Sequence, residues 1–367
     1  MGGVSVALIL GIESSCDETS AALVRDGRKV VSNVVATQHE LHEEYGGVVP
    51  EIASRAHIER LWPVVDKAVH DAGCEREAAG ELIDAVAVGN RPGLIGSLLV
   101  GVAAAKALAW AWGKPLIGVD HIEAHLHAAS LGGDAIAMPA VGLVVSGGHT
   151  SLFFMESASR IRLMGRTIDD AIGEAFDKAA SILGLPYPGG PIVDKRAVNG
   201  NERAHRFPVA SVGDRACLDF SYSGLKTSLL YAVRGKPVGR GKDAQFERDH
   251  TAFDDAAIDD FCASFQKAAV DAIVKNTKSA VDVLRDQHGV EVQSLVVGGG
   301  VSANSRLRAE MERLADELGL ALRLPAMGYC LDNAAMIAGY AWHRFAAGGP
   351  FDGLDLSPSP RGEYEGL

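Results

Sequence analysis

Residues 6–12 are continuously apolar, and a second apolar run over 21–24 follows the polar turn Ser14-Ser15-Cys16-Asp17. This pattern predicts two strands, and Asp26-Gly27 turns the chain into a third over 29–35. At Pro50 the period changes. Ala53, Ala56, Leu61, Val64, Val65 and Ala68 recur on one helical face, which predicts a helix from Pro50 to about Asp71 that ends near Gly73. Short apolar runs at 85–88 and 116–119 bracket a long apolar stretch over 94–112, and another helix is expected to begin near His121. The order is βββαβαβα, with unbroken apolar strands of the kind found in a sheet covered on both faces.

A second series repeats the first. Runs at 141–145 and 151–155 flank Ser146-Gly147-Gly148-His149-Thr150 as a hairpin, and 160–163 supplies a third strand. Helices are expected over 170–183, 222–233 and 256–287, then a strand over 293–297, a helix over 303–318, a strand near 320–324 and a last helix over 333–345. Two βββα series in succession imply a duplicated α/β chain of two lobes with a cleft between them. The expected division is 1–128 plus 333–347 as the N-terminal lobe and 129–332 as the C-terminal lobe. Residues 234–255 read as a polar insert, and 348–367, which lack periodicity, as a disordered tail.

Composition narrows the partners. At 367 residues the chain is long enough for two domains, and its charge of 35 − 47 = −12 excludes a protein that coats DNA through clustered cations. The five cysteines are scattered, never in a CxxC pair, which argues against a disulfide scaffold and for a reducing cytoplasm. The apolar stretch 94–112 contains Lys106 and many Gly and Ala residues, and is expected as a core helix with no role in a membrane.

Candidate chemistry begins with His121-Ile122-Glu123-Ala124-His125, where two imidazoles one turn apart share a helical face and can reach one metal. His127 falls across the helix. Glu123 does not directly follow the first histidine, so this is not the HExxH zinc-protease pattern. A third ligand is needed. Asp332 in Tyr329-Cys330-Leu331-Asp332-Asn333 is the candidate, with an ordinary helix N-cap as its other reading. Two histidines and a carboxylate suit Fe(II) or zinc and leave coordination positions open. Three glycine-rich turns, Val145–Thr150, Tyr187–Pro191 and Gly298–Asn304, offer backbone N–H groups, the second ahead of a helix expected to carry Asp194 and the last at a strand-to-helix junction that favours an anionic or nucleotide ligand. None is a Walker or GxGxxG motif. Asp177 lies two turns inside its expected helix, where the helix dipole gains nothing from it, and is available for ligand hydroxyls.

Together Gly11–Ser20, His121–His125, Val145–Thr150, Gly173–Lys178, Tyr187–Pro191, Phe220–Thr227, Gly298–Asn304 and Cys330–Ala335 resemble the bacterial tRNA N6-adenosine threonylcarbamoyltransferase (TsaD) family, once labelled a sialoglycoprotein endopeptidase. The resemblance runs in order from about residue 7 to 345. It implies the fold shared by actin, sugar kinases and heat-shock ATPases (ASKHA). It also implies transfer of threonylcarbamoyl from threonylcarbamoyl-AMP to N6 of the adenosine next to the anticodon (position 37) in tRNAs reading codons that begin with A. By motif, His121, His125 and Asp332 correspond to its metal ligands, Fe(II) first and zinc second. Val144, Val145, Ser146, Gly147, Gly148, Asp177, Gly190, Asp194 and Asn304 correspond to positions that hold threonylcarbamoyl-AMP or ATP/AMP. Where archaeal and eukaryotic relatives place a tyrosine ligand, Val144 stands. No residue presents itself as the general base. Implied partners are tRNA, a smaller noncatalytic paralogue of the same fold (TsaB type) and a P-loop ATPase (TsaE type), in the cytoplasm. A kinase or ATPase of the same fold and a metalloprotease are the competing readings.

Overall fold

The structure, a computed structural model, describes residues 7–209, 217–239 and 245–367. Its elements run β1 (Leu8–Glu13), β2 (Glu18–Arg25), β3 (Lys29–Thr37), α1 (His39–His42), α2 (Pro50–Asp71), α3 (Ala79–Leu82), β4 (Ala85–Arg91), α4 (Ile95–Trp112), β5 (Leu116–Asp120) and α5 (His121–Ala128). They continue with β6 (Ala140–Val145), β7 (Thr150–Ser157), β8 (Arg160–Arg166), α6 (Ile172–Ile182), α7 (Gly189–Ala197), α8 (Ser223–Arg234) and α9 (Asp255–His288). The last elements are β9 (Ser294–Gly298), α10 (Ser305–Leu318), β10 (Ala321–Arg323) and α11 (Ala334–Ala346).

Two units result, one of 1–136, 156–161 and 323–365, the other of 137–155, 162–322 and 366–367. Each holds a five-stranded sheet, ordered β3-β2-β1-β4-β5 in the first and β10-β9-β6-β7-β8 in the second. In the first, β1 pairs antiparallel with β2 and parallel with β4. In the second, β6 stands in the place of β1, antiparallel to β7 and parallel to β9. The duplication read from the hydrophobic pattern is therefore a duplication of topology.

Alternate residues of β1 serve opposite faces of the first sheet, as the period of two requires. Leu10 and Ile12 pack with Leu61, Val64 and Val102 of α2 and α4, while Ile9 joins Val119, Ala124 and Ile337 on the side of α5 and α11. At Gly11 a Cβ would stand 2.3 Å from the Ala334 carbonyl oxygen, so only glycine lets α11 lie this close to the strand. Helix α4 is the one described helix long and apolar enough to cross a membrane. Its Leu98, Gly101, Val102, Ala105 and Leu108 face is buried in the core, as expected, but Ile95, Leu99 and Trp110 leave a second apolar face exposed.

Two expectations are corrected. The segment after Gly348 is held in place and is not a free tail. Asp352 bridges to Leu116 and accepts from the Gly118 N–H at 2.7 Å, the Ser359 N–H donates to the Asn90 carbonyl at 2.9 Å, and the Tyr364 hydroxyl donates to Asp120 Oδ1 at 3.0 Å. It lacks periodicity because it is fastened by single bridges and carries no amphipathic face of its own. The polar insert lies between Arg234, which closes α8, and Asp255, which opens α9 behind the N-cap Asp254. Within it Val238 pairs with Gln245, and Arg248 donates to the carbonyls of Ala232 and Val233; Arg240 and Lys242 lie outside the described residues. The turn expected over Tyr187–Pro191, ahead of the helix that carries Asp194, is itself the start of that helix, since α7 begins at Gly189.

His57 gives the fold a pH dependence. Buried in α2, its Nε2 donates to the Cys16 carbonyl at 2.9 Å and its Nδ1 accepts from the Thr19 hydroxyl at 2.8 Å, the pattern of a neutral imidazole. Burial outweighs the bond to Cys16 and lowers its pKa below the ordinary value. The unfolded chain therefore takes up this proton first as pH falls. The stabilisation is complete above the unfolded value of about 6.5 and is lost as pH drops through the folded one. In urea unfolding, His57→Gln should shrink the stability difference between about pH 7.5 and about pH 5.

Candidate metal centre and glycine turns

In the first unit, β5 delivers α5 with Asp120 as N-cap, whose Oδ1 accepts from the N–H groups of Ile122 and Glu123 at 2.9 and 3.3 Å. That cap fixes the first turn, so His121 and His125 emerge one above the other with ring centroids 4.6 Å apart. Asp332 meets them: its Oδ1 is 3.0 Å from Nε2 of His125 and 3.4 Å from Nε2 of His121. Its other reading, a helix cap, falls away because Asn333 does that work, accepting from the Met336 N–H at 3.1 Å. His127 points elsewhere, as expected, to the Gly27 carbonyl at 2.8 Å.

The group fits a divalent cation. Donor atoms of His121, His125 and Asp332 lie within 4.8 Å of one another and largely away from solvent. Burial pulls the His125 pKa down, and the charge of His121 adds to this. For His121, burial is overcome by the charges of Glu13 and Asp332, which raise its pKa well above the usual range. Asp332 is held well below the usual carboxylate range: its burial is outweighed by the charge and hydrogen bond of His121 and by the bond with His125. A cation on the two Nε2 atoms takes the place of the proton that this charge arrangement favours.

Sequence reasoning missed two neighbours. Glu13, the only charged residue of β1, is fully buried against His121. Its signal was a carboxylate closing an apolar strand. Asp17, Glu18 and His39 form another group with donor atoms within 4.8 Å, His39 Nε2 being 3.4 Å from Glu18 and 3.8 Å from Asp17. Burial pushes Glu18 up to about 8, and the hydrogen bond to Glu18 raises His39.

In the second unit the glycine turns converge. Val144 and Val145 are buried in β6, and Ser146 closes the turn with its N–H to the His149 carbonyl at 2.8 Å. Ser146 also receives the Gly173 N–H at the start of α6 (3.2 Å), and a Cβ on Gly299 would stand 2.4 Å from the Val145 carbonyl oxygen. Asp177 Oδ1 accepts from the N–H groups of Gly189 and Gly190 at 2.8 and 3.3 Å. Burial raises the Asp177 pKa, and those two bonds oppose it. Asp194 receives the Ser305 hydroxyl at 2.7 Å, the Ser305 N–H at 3.1 Å and the Gln266 amide at 2.9 Å, and Asn304 caps α10 through the Leu307 N–H at 2.9 Å. Each polar residue expected to meet a ligand thus has a structural duty as well. Gly147 and Gly148 have nothing within 4 Å of a Cβ position and leave the turn open.

A family model described as TsaD, tRNA N6-adenosine threonylcarbamoyltransferase, matches residues 29–339. The tRNA N6-adenosine threonylcarbamoyltransferase of Anaeromyxobacter sp. (strain Fw109-5) is 49% identical over 355 residues, spanning 96% of this chain and 98% of the relative. The chain belongs to the TsaD family. Membership makes it an acyltransferase that forms threonylcarbamoyladenosine in tRNA, and sets aside the kinase and protease readings. Ile122 stands where a zinc protease of the HExxH type would carry its base, and Glu123 accepts the Tyr340 hydroxyl at 2.6 Å. Solved structures extend the match in fold. Component A of the (R)-2-hydroxyglutaryl-CoA dehydratase of Acidaminococcus fermentans superposes with a TM-score of 0.50 at 15% identity, covering 93% of this chain and 99% of that one. HypF of T. kodakarensis gives 0.57 at 14% identity, covering 93% of this chain and 48% of its own. The chain thus has the ASKHA fold.

Proposed function

We propose that the chain transfers threonylcarbamoyl from threonylcarbamoyl-AMP to N6 of the adenosine next to the anticodon, in tRNAs that read codons beginning with A, with release of AMP. The observation that carries this reading is the convergence of His121, His125 and Asp332 in a chain of this family. These three residues hold the metal, Fe(II) first and zinc second, which when bound supplies a Lewis acid for ligand oxygens. Val144 to Gly148, Asp177, Gly190, Asp194 and Asn304 hold the adenylate, the open turn at Gly147 and Gly148 offering backbone N–H groups to its phosphate. The adenosine amine attacks the carbamoyl carbon, its C–O bond to phosphate breaks, and AMP leaves with the electron pair while the amine loses a proton. AMP is already a good leaving group, so orientation and stabilisation of the oxyanion are the main requirements.

The setting follows from charge and surface. With a net charge of −12, long-range attraction to tRNA is weak. Arg234, Lys236, Arg240 and Lys242 are the densest basic run, worth a salt slope of roughly −3.6 if all four meet phosphates. We therefore assign productive tRNA capture to an assembly with a smaller paralogue of the same fold and a P-loop ATPase, in the cytoplasm. The exposed Ile58 and Trp62 of α2 and Ile95 and Leu99 of α4 support a protein partner on the first unit. The lone chain should bind tRNA weakly, the partners should restore binding, and neutralising the four cations should lower the salt slope. With threonylcarbamoyl-AMP supplied directly, AMP release should require tRNA. Release of ADP from ATP without tRNA, in place of that reaction, would return the reading to a kinase.

A further inference from the structure

Strand β1 ends on Glu13, whose carboxylate is wholly out of solvent. A buried carboxylate is costly unless it is paired and hydrogen-bonded, so its partners define its work. Oε2 lies 3.0 Å from Nδ1 of His121, and Oε1 accepts the Ser15 N–H at 2.5 Å. The Ser15 hydroxyl is 3.2 Å from the same Nδ1. On β4, Gly89 leaves the room this needs, since a Cβ there would stand 2.6 Å from Oε2.

An ionised carboxylate only accepts hydrogen bonds, so Nδ1 of His121 keeps its proton toward Glu13, and Nε2, on the side of Asp332, is the nitrogen left to give up its proton to a cation. His125 has no such support. Its Nδ1 is buried with no hydrogen-bond partner among the described residues. The two imidazoles are therefore inequivalent donors.

We infer that Glu13 is a positioning residue for the metal centre, locking His121 in the tautomer whose Nε2 can ligate and making it the stronger of the two imidazole ligands. The inference rests on the proposed reading of His121, His125 and Asp332 as metal ligands. Because the other oxygen of Glu13 holds Ser15, the same carboxylate keeps the β1–β2 turn in register with the ligand.

Glu13→Gln tests this with little change of shape. Its amide oxygen can still accept from Ser15, but its NH2 faces Nδ1 and donates, which moves the imidazole proton to Nε2, the ligating atom. The full-length protein, Glu13→Gln, Glu13→Asp and His121→Ala would each be titrated with Co2+ against a competing chelator, with the visible absorption of the bound ion recorded. Melting temperatures would be taken without metal. Glu13→Gln should weaken Co2+ binding by about 10–100-fold and change the absorption bands, with Glu13→Asp losing less because it keeps a carboxylate. Wild-type affinity and spectrum in Glu13→Gln would overturn the inference and leave the metal reading standing. A loss shared equally by Gln and Asp, with lowered metal-free melting temperatures, would make Glu13 a folding residue only and overturn it too. Failure of the wild type to bind Co2+, or equal binding by His121→Ala, would remove the metal reading and the inference with it.

Discussion

Replacing His125 by alanine is expected to leave the purified protein with less than about a tenth of its metal and to cut threonylcarbamoyl transfer by more than about 100-fold, the upper range for losing even an outer-sphere partner. His125 is fully buried and its Nε2 is the nearer of the two imidazole nitrogens to Asp332. Without it only His121 and Asp332 remain, and two protein ligands make a poor site. The fold should persist, because alanine is the best helix former and the N-cap Asp120 holds α5 independently. Metal analysis and circular dichroism on one preparation check both halves. A folded His125→Ala protein with full metal content would take the three residues out of the metal role.

Gly299→Ala should cost about 2–4 kcal/mol of stability, where Gly147→Ala should stay within about 0.5 kcal/mol. Gly299 has φ +91°, a region that side chains rarely occupy, and its Cβ would stand 2.4 Å from the oxygen and 2.8 Å from the carbon of the Val145 carbonyl. Backbone cannot yield as a flexible side chain does, so β6 or the turn after β9 must move. Gly147 faces open space. From the sequence the two glycines look alike, and both suggest close approach of a ligand. The structure divides them: Gly299 makes room for the neighbouring strand, and an added methyl at Gly147 meets no neighbour, so its effect tests the proposed adenylate role. Urea unfolding separates the pair, and equal midpoints would contradict the division.

Much of the fold was legible because its central strands are covered on both faces, which writes them as unbroken apolar runs. Leu8–Ile12, Val86–Val88 and Val141–Val145 are of this kind. The start of helix α7 was not, since glycine and proline there suit a turn equally well and only the Asp177 carboxylate, taking two of its N–H groups, shows why it winds there. The last twenty residues escaped for a related reason, as bridges to Leu116 and Asn90 leave no periodic trace. At the metal centre, the histidine spacing is a local pattern and could be read directly. Asp332 could not be told from an N-cap until Asn333 was seen to hold that place. Glu13 and His121 meet through the pairing of β1 with β4 and of β4 with β5, a long-range consequence of topology that no short motif encodes.

The most direct measurement is mass spectrometry of nucleosides from unmodified tRNA incubated with this protein, the proposed paralogue and ATPase partners, and threonylcarbamoyl-AMP. The expected result is threonylcarbamoyladenosine at the position next to the anticodon, formed with the wild-type chain and nearly absent with His125→Ala. Unmodified adenosine in the presence of metal-loaded wild-type protein, all partners and intact donor would contradict the account.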